Sequence, residues 1–154
     1  MIRNEKEYKE AVRRAKKDQE IMIKQKDNFK KHGLSKTEIN KAMEPMISFH
    51  EQLNEEIEWY ERVKCQDFMV INRLQQVGQL LIALRIASGL SQKDLAKCLG
   101  VMGAQVSRDE RNEYHGITLE RAQKIMDVFG AHLKTALKVD KKLDRTNIMA
   151  PCAV

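Results

Sequence analysis

Turn-forming residues are scarce. The chain has two prolines and seven glycines in 154 residues, which argues against a fold of many short strands and for long helices. Its three cysteines, Cys65, Cys98 and Cys152, are odd in number and widely spaced, with no CxxC pair, and the four histidines are scattered. A disulfide framework and a zinc site are therefore not expected; a reducing cytoplasm is. No apolar run approaches the roughly 20 residues a membrane-spanning helix needs, so no membrane partner is expected. The charged start Met1–Lys6 leads into no apolar segment of the kind a secretory signal has. Paired carboxylates in a pocket context, a Ser/His/Asp grouping, a glycine-rich phosphate loop and metal-ligand spacing are also missing. The reading is thus no enzyme, no catalytic residue, no metal and no cofactor.

What is present is charge, and it is unevenly placed. The formal net charge is +6, with 32 % charged and 42 % hydrophobic residues, too apolar for a disordered chain. Residues 1–32 carry 11 basic and 6 acidic groups, a net of +5. Residues 33–70 carry 4 and 8, a net of −4, and residues 71–154 carry 13 and 8, a net of +5. The first two blocks read as two helices. Asn4–Lys31 lacks Gly and Pro and is rich in Lys, Glu, Ala and Gln. Tyr8, Ala15, Met22 and Phe29 recur every seven residues; Ala11 and Val12 widen the stripe, and Gln19 and Lys26 interrupt its second row. Gly33 suits the end of this helix. Ser35-Lys36-Thr37-Glu38 is a capping box that opens the next one. There Ile39, Met46, Leu53 and Tyr60 form one heptad row, with Met43, His50 and Ile57 beside it. Pro45 predicts a kink near Met43-Glu44, or a restart with Pro45 in the first turn. The short turn and opposite charges predict an antiparallel, coiled-coil-like hairpin over residues 1–70, serving oligomerisation or partner binding. The consecutive apolar residues Phe68–Ile71 are expected to pack at the junction.

From Leu74 the pattern shortens. Val77, Leu80, Leu81 and Leu84 make one helical face that ends at Ser88-Gly89. Ser91 caps a second short helix, with Asp94 three residues on and Leu95, Ala96 and Leu99 facing inward to Gly100. A third helix spans Gly103–Arg111, with Val106 inward and Gln105, Ser107 and Arg108 outward. Thr118 caps a fourth, with Ala122, Ile125, Met126 and Phe129 as its apolar face. The pair Gln92–Leu99 and Gly103–Arg111, joined through Gly100, has helix-turn-helix proportions. In such a unit the second helix enters a major groove, and the positive start of the first meets a phosphate.

The run Gly89-Leu90-Ser91-Gln92, Leu95-Ala96, Leu99-Gly100-Val101, Val106-Ser107-Arg108 and Glu110, with Arg85 upstream, resembles the Cro/C1-type (Xre family) helix-turn-helix domain over residues 77–130. The resemblance implies a lambda-repressor-like fold and a buried ion pair between Arg85 and Glu110. It implies phosphate contacts from Ser91 and Gln92 and a backbone contact from Arg111. It also implies base-facing positions at Gly103, Ala104, Gln105, Ser107 and Arg108. Gly103 and Ala104 bring no side-chain donor or acceptor, so direct reading falls on Gln105, Ser107 and Arg108. Gln suits adenine and Arg suits guanine; Ala104 suits a thymine methyl. Met102 stands where the family has a Ser or Thr cap. Asp109 stands where a larger residue is usual, either exposed or paired with a nearby basic group.

After Gly130 the period becomes two. Leu133, Thr135, Leu137 and Val139 alternate with His132, Lys134, Ala136 and Lys138, which predicts one short β-strand. A lone strand is unstable, so pairing across a two-fold with a second subunit is expected. The overall expectation is a mainly α chain: hairpin 1–70, helix-turn-helix domain with C-terminal strand 71–139, flexible tail 140–154. Its implied partner is double-stranded DNA, bound by a homodimeric, sequence-specific repressor reading a palindromic operator. The alternative is an antitoxin, as in HigA-like proteins, that holds a toxin through the N-terminal hairpin.

Overall fold

The computed structural model describes residues 1–68 and 70–136. Among them run six α-helices: α1 (Glu5–Lys31), α2 (Lys36–Lys64), α3 (Val77–Ala87), α4 (Gln92–Leu99), α5 (Gly103–Arg111) and α6 (Leu119–Val128). A single 3₁₀ turn, Leu74–Gln76, leads into α3.

α1 and α2 form the antiparallel hairpin. Both ends of each helix are closed locally. The Asn4 side chain accepts from the Glu7 N–H at 3.0 Å. Gly33 takes the left-handed conformation (φ 77°) that lets the Leu34 N–H return to the Phe29 carbonyl at 3.2 Å. Ser35 and Glu38 then cap α2 reciprocally, each side chain bonded to the other's backbone N–H. In α1 the row Tyr8, Ala15, Met22, Phe29 faces inward, but its companion row is Ala11, Asp18 and Gln25, while Gln19 and Lys26 are exposed. The second row therefore lies three residues after the first rather than four. The polar residues in it are Asp18 and Gln25. α2 is one continuous helix through Pro45, with no restart; Pro45 is exposed, where its missing N–H costs least. At the base of the hairpin the Tyr8 and Tyr60 rings stack, 5.0 Å apart at 19°. Their hydroxyls donate to Glu61 at 2.6 Å and Glu5 at 3.4 Å, tying the helices crosswise.

The hairpin does not stand apart from the rest. Ile2, Ala11, Tyr60 and Val63 belong to the same buried cluster as Val77, Leu81, Ile82, Ile86, Leu95, Val106 and Ile125. This is why α3 is buried on almost every side. Of its expected inner face, Val77 and Leu81 are buried but Leu80 and Leu84 only half-buried, while Ile82, Ala83, Arg85 and Ile86 are buried as well, with both α6 and α2 packed against the helix. The junction packs less than its sequence suggests: Ile71 is half-buried, but Val70 is 80 % exposed. Among the described residues there is no strand. Residues 132–136 are irregular, and Leu137, Val139 and the tail 140–154 lie outside the described residues.

One close approach fixes how α3 meets the turn after α5. A methyl group on Gly78 would stand 1.8 Å from the Glu113 carbonyl oxygen. That turn holds Glu113 and Tyr114 both at positive φ, 49° and 53°. It is stabilised by the Tyr114 N–H donating to the Asp109 carbonyl at 2.7 Å. Tyr114 is buried, and its hydroxyl has no hydrogen-bond partner. Burial, with the nearby Glu110 and Asp109 carboxylates, pushes its pKa above the ordinary tyrosine value.

Two outcomes are expected. Gly78→Ala forces the turn off α3 and should lower unfolding free energy by about 3 kcal/mol in denaturant titrations, as overpacking does. Tyr114 keeps its proton in the folded state at pH values where the unfolded chain has lost it. Its contribution to stability is therefore complete below about pH 10 and lost as pH rises further. Tyr114→Phe should leave stability at pH 7 unchanged or raised, since the hydroxyl it removes is unpaired. It should also flatten the decline between pH 9 and pH 11 relative to the parent.

Candidate nucleic-acid interface

The interface is built from three short helices whose ends are set by the chain itself. Ser91 starts α4. Its hydroxyl accepts from the Asp94 N–H at 3.2 Å and donates to the Asp94 carboxylate at 2.6 Å. These bonds from the Ser91 side chain and backbone hold the Asp94 carboxyl below the usual carboxylate range. α4 ends at Gly100 in the left-handed conformation (φ 66°), and the Val101 N–H bonds back to the Ala96 carbonyl at 2.9 Å. Ala96 is 2 % exposed, so α4 and α5 approach closely. Thr118 caps α6 through the Arg121 N–H at 3.2 Å.

α5 presents two faces. Val106 and Glu110 are fully buried. Ala104, Arg108 and Arg111 are exposed, and Gly103, Gln105 and Ser107 are half-buried on the outward side. This is the arrangement that a groove-reading helix needs: an anchored inner edge and an outer edge with short polar groups and cations. Met102 offers α5 no side-chain cap and is itself 72 % exposed.

The anchor is ionic. Arg85 on α3 holds Glu110 through two parallel bonds, Nε to Oε1 and Nη2 to Oε2, the latter 2.7 Å. The two side chains are 3 % and 0 % exposed. Two of the guanidinium's three remaining hydrogens are also used. Nη1 donates to the Leu90 carbonyl and Nη2 to the Arg3 carbonyl, each at 3.0 Å. Glu110 in turn accepts from the Gln92 amide at 2.8 Å. One network thus connects the N-terminal segment, α3, the start of α4 and the end of α5.

This network alters the expected role of Gln92. Its side-chain amide is turned inward onto Glu110, which leaves the backbone N–H groups of the α4 start for an anion. Asp109 is also placed. Its carboxylate takes a 2.6 Å bond from Arg121 Nη2 on α6, both side chains about one-third exposed. With its amide in the orientation that satisfies both groups, Gln105 accepts from the same guanidinium at 3.2 Å. Arg121 is therefore a member of the site that sequence reasoning passes over; the signal for it was the unusual acid at 109. Lys93 is another. Its side-chain Cγ would lie 3.5 Å from a Cβ on Gly103, so it runs past the start of α5. The described residues hold no cluster of three or more metal-ligating side chains. None of the described helices is long and apolar enough to cross a membrane.

Breaking this anchor from one side leaves a buried charge. Glu110→Ala should cost about 3–5 kcal/mol of stability in denaturant titrations, whereas the double variant R85M/E110L should recover most of that loss.

No curated protein and no solved structure was found to match the chain. Residues 81–135 do match a family model, described as helix-turn-helix. That segment holds most of α3 and all of α4, α5 and α6, with the Arg85–Glu110 pair inside it. Residues 81–135 of this mainly helical chain are a Cro/C1-type (Xre family) helix-turn-helix domain, the DNA-binding domain of a transcription regulator.

Proposed function

We propose that the chain is a homodimeric, sequence-specific repressor that reads a palindromic operator through the major groove. The observation that carries this is the outward face of α5. Arg108 is exposed there and makes no ion pair among the described residues, beside Ser107 and Gln105, on a helix whose opposite edge is locked by Glu110. Arg108 is assigned to guanine, Gln105 to adenine and Ala104 to a thymine methyl. Arg111 is assigned to a phosphate. The Ser91 and Gln92 backbone at the start of α4 takes another, and Gly103 lets the duplex come close to the start of α5.

One recognition helix reads one half-site, so specificity calls for two copies. An apolar groove of about 380 Å³, lined by Phe68, Val70, Leu80, Leu84 and Leu133, supports a face for the second copy. A second reading, an antitoxin that holds a toxin on its hairpin, is favoured by a different feature. Ile21, Ile23, Ile47 and Phe49 are exposed on the outer half of the hairpin, away from the shared core.

Selection of bound duplexes from a random-sequence pool tests the first reading. The parent protein should recover an inverted repeat. Arg108→Ala should relax one position in each half and weaken binding there by about 1–3 kcal/mol. Recovery of no common sequence, or the same sequence with the same affinity from both proteins, would count against it.

A further inference from the structure

Between the base of the hairpin and the start of α4 lies a cleft of about 760 Å³, of which the reading above uses only the Ser91–Gln92 edge. Arg3 and Lys64 line it from the hairpin side, Ser91, Gln92 and Lys93 from the α4 side. Its charge is one-sided. Arg3, Lys64 and Lys93 make no ion pair among the described residues. The single carboxylate on its wall, Glu5, is already engaged by Lys9 at 3.8 Å and by the Tyr60 hydroxyl at 3.4 Å. Arg85, also on the wall, is neutralised by Glu110.

The backbone of Arg3 is held in place while its side-chain Nε is left unsatisfied. Its backbone N–H donates to Glu7 at 2.8 Å and its carbonyl accepts from Arg85 at 3.0 Å. Its Nε is buried and has no acceptor. A guanidinium nitrogen lacking an acceptor, two unpaired lysines and the positive end of α4 make a cradle for an anion that accepts several hydrogen bonds, such as a phosphodiester. The cradle also adjoins the recognition helix, because Lys93 borders both the cleft and Gly103 at the start of α5.

We propose that Arg3, Lys64 and Lys93 bind backbone phosphate of the duplex beside the helix-turn-helix contact, so that the base of the hairpin lengthens the DNA footprint. The proposal rests on the DNA-binding reading of α5, and the test separates the two. A fluorescent 30-base-pair duplex of mixed sequence is titrated with the full chain over a series of NaCl concentrations. Each phosphate contact removed lowers the slope of log K against log salt by about 0.9. R3M and K64M should each lower it by about that amount, R3K should not, and K26M, exposed on the outer half of α1, should leave it unchanged. Lys64 is exposed, so its variant does not put folding at risk; R111M reports on the helix-turn-helix contact itself.

A lowered slope for R111M with parent slopes for R3M and K64M overturns the proposal and leaves the α5 reading intact. An equal loss for K26M also overturns it, by making the effect one of general surface charge. A melting shift with inorganic phosphate that R3M abolishes, alongside unchanged DNA slopes, reassigns the cleft to a small free anion. Absence of duplex binding by the parent overturns both readings.

Discussion

The Arg85–Glu110 pair is the constraint on which the rest of the structure depends. Glu110 lies at the end of the recognition helix and is fully buried, so α5 can be seated only if a cation meets it inside the protein. Arg85 meets it with the Nε–Nη2 edge of the guanidinium, and gives two further donors to the Leu90 and Arg3 carbonyls. The pair thereby fixes four things: the end of α5, the loop before α4, the Gln92 side chain and the N-terminal segment. Such a pair adds little net stability over a well-packed apolar substitute. Its value here is positional, since it sets which edge of α5 faces solvent.

The outward edge follows from that anchoring. With Val106 and Glu110 inward, helical spacing turns Ala104, Arg108 and Arg111 outward. Arg121 then tidies the neighbouring acid. Asp109 on the same helix would repel a phosphate, and the Arg121 bond at 2.6 Å offsets its charge. The basic excess of the chain is also resolved in part. Among the described residues no ion pair joins α1 to α2, the one across the hairpin being the Met1 amino group on Glu56 at 2.8 Å, and its base leaves Arg3 and Lys64 unpaired beside the helix-turn-helix unit.

Much of this was legible in the residues. The capping boxes at Ser35 and Ser91, the glycines at 33 and 100 and the apolar spacing place the helix ends because each rests on local chemistry. The bounds of α5, Gly103–Arg111, follow the same logic. What was not legible depends on distant parts of the chain. Ile82 and Ile86 look like surplus apolar residues on α3 until the hairpin is seen packing over that side. The companion row of α1, Ala11, Asp18 and Gln25, was hidden because two of its three members are polar and resemble surface positions. Gln92 reads as a phosphate contact from its place at the helix start, but an acceptor eighteen residues away claims its amide. Alternation after Gly130 predicts a strand, yet a strand needs a partner, and residues 132–136 show none.

The central claim is that the face formed by the start of α4 and the outer edge of α5 meets DNA while the outer half of the hairpin does not. Amide hydrogen exchange of the full chain with and without a bound duplex reads this directly. The account predicts slowed exchange at residues 91–94 and 103–111, with residues 18–50 unchanged. Protection confined to the hairpin, with α4 and α5 exchanging as in the free protein, would contradict it.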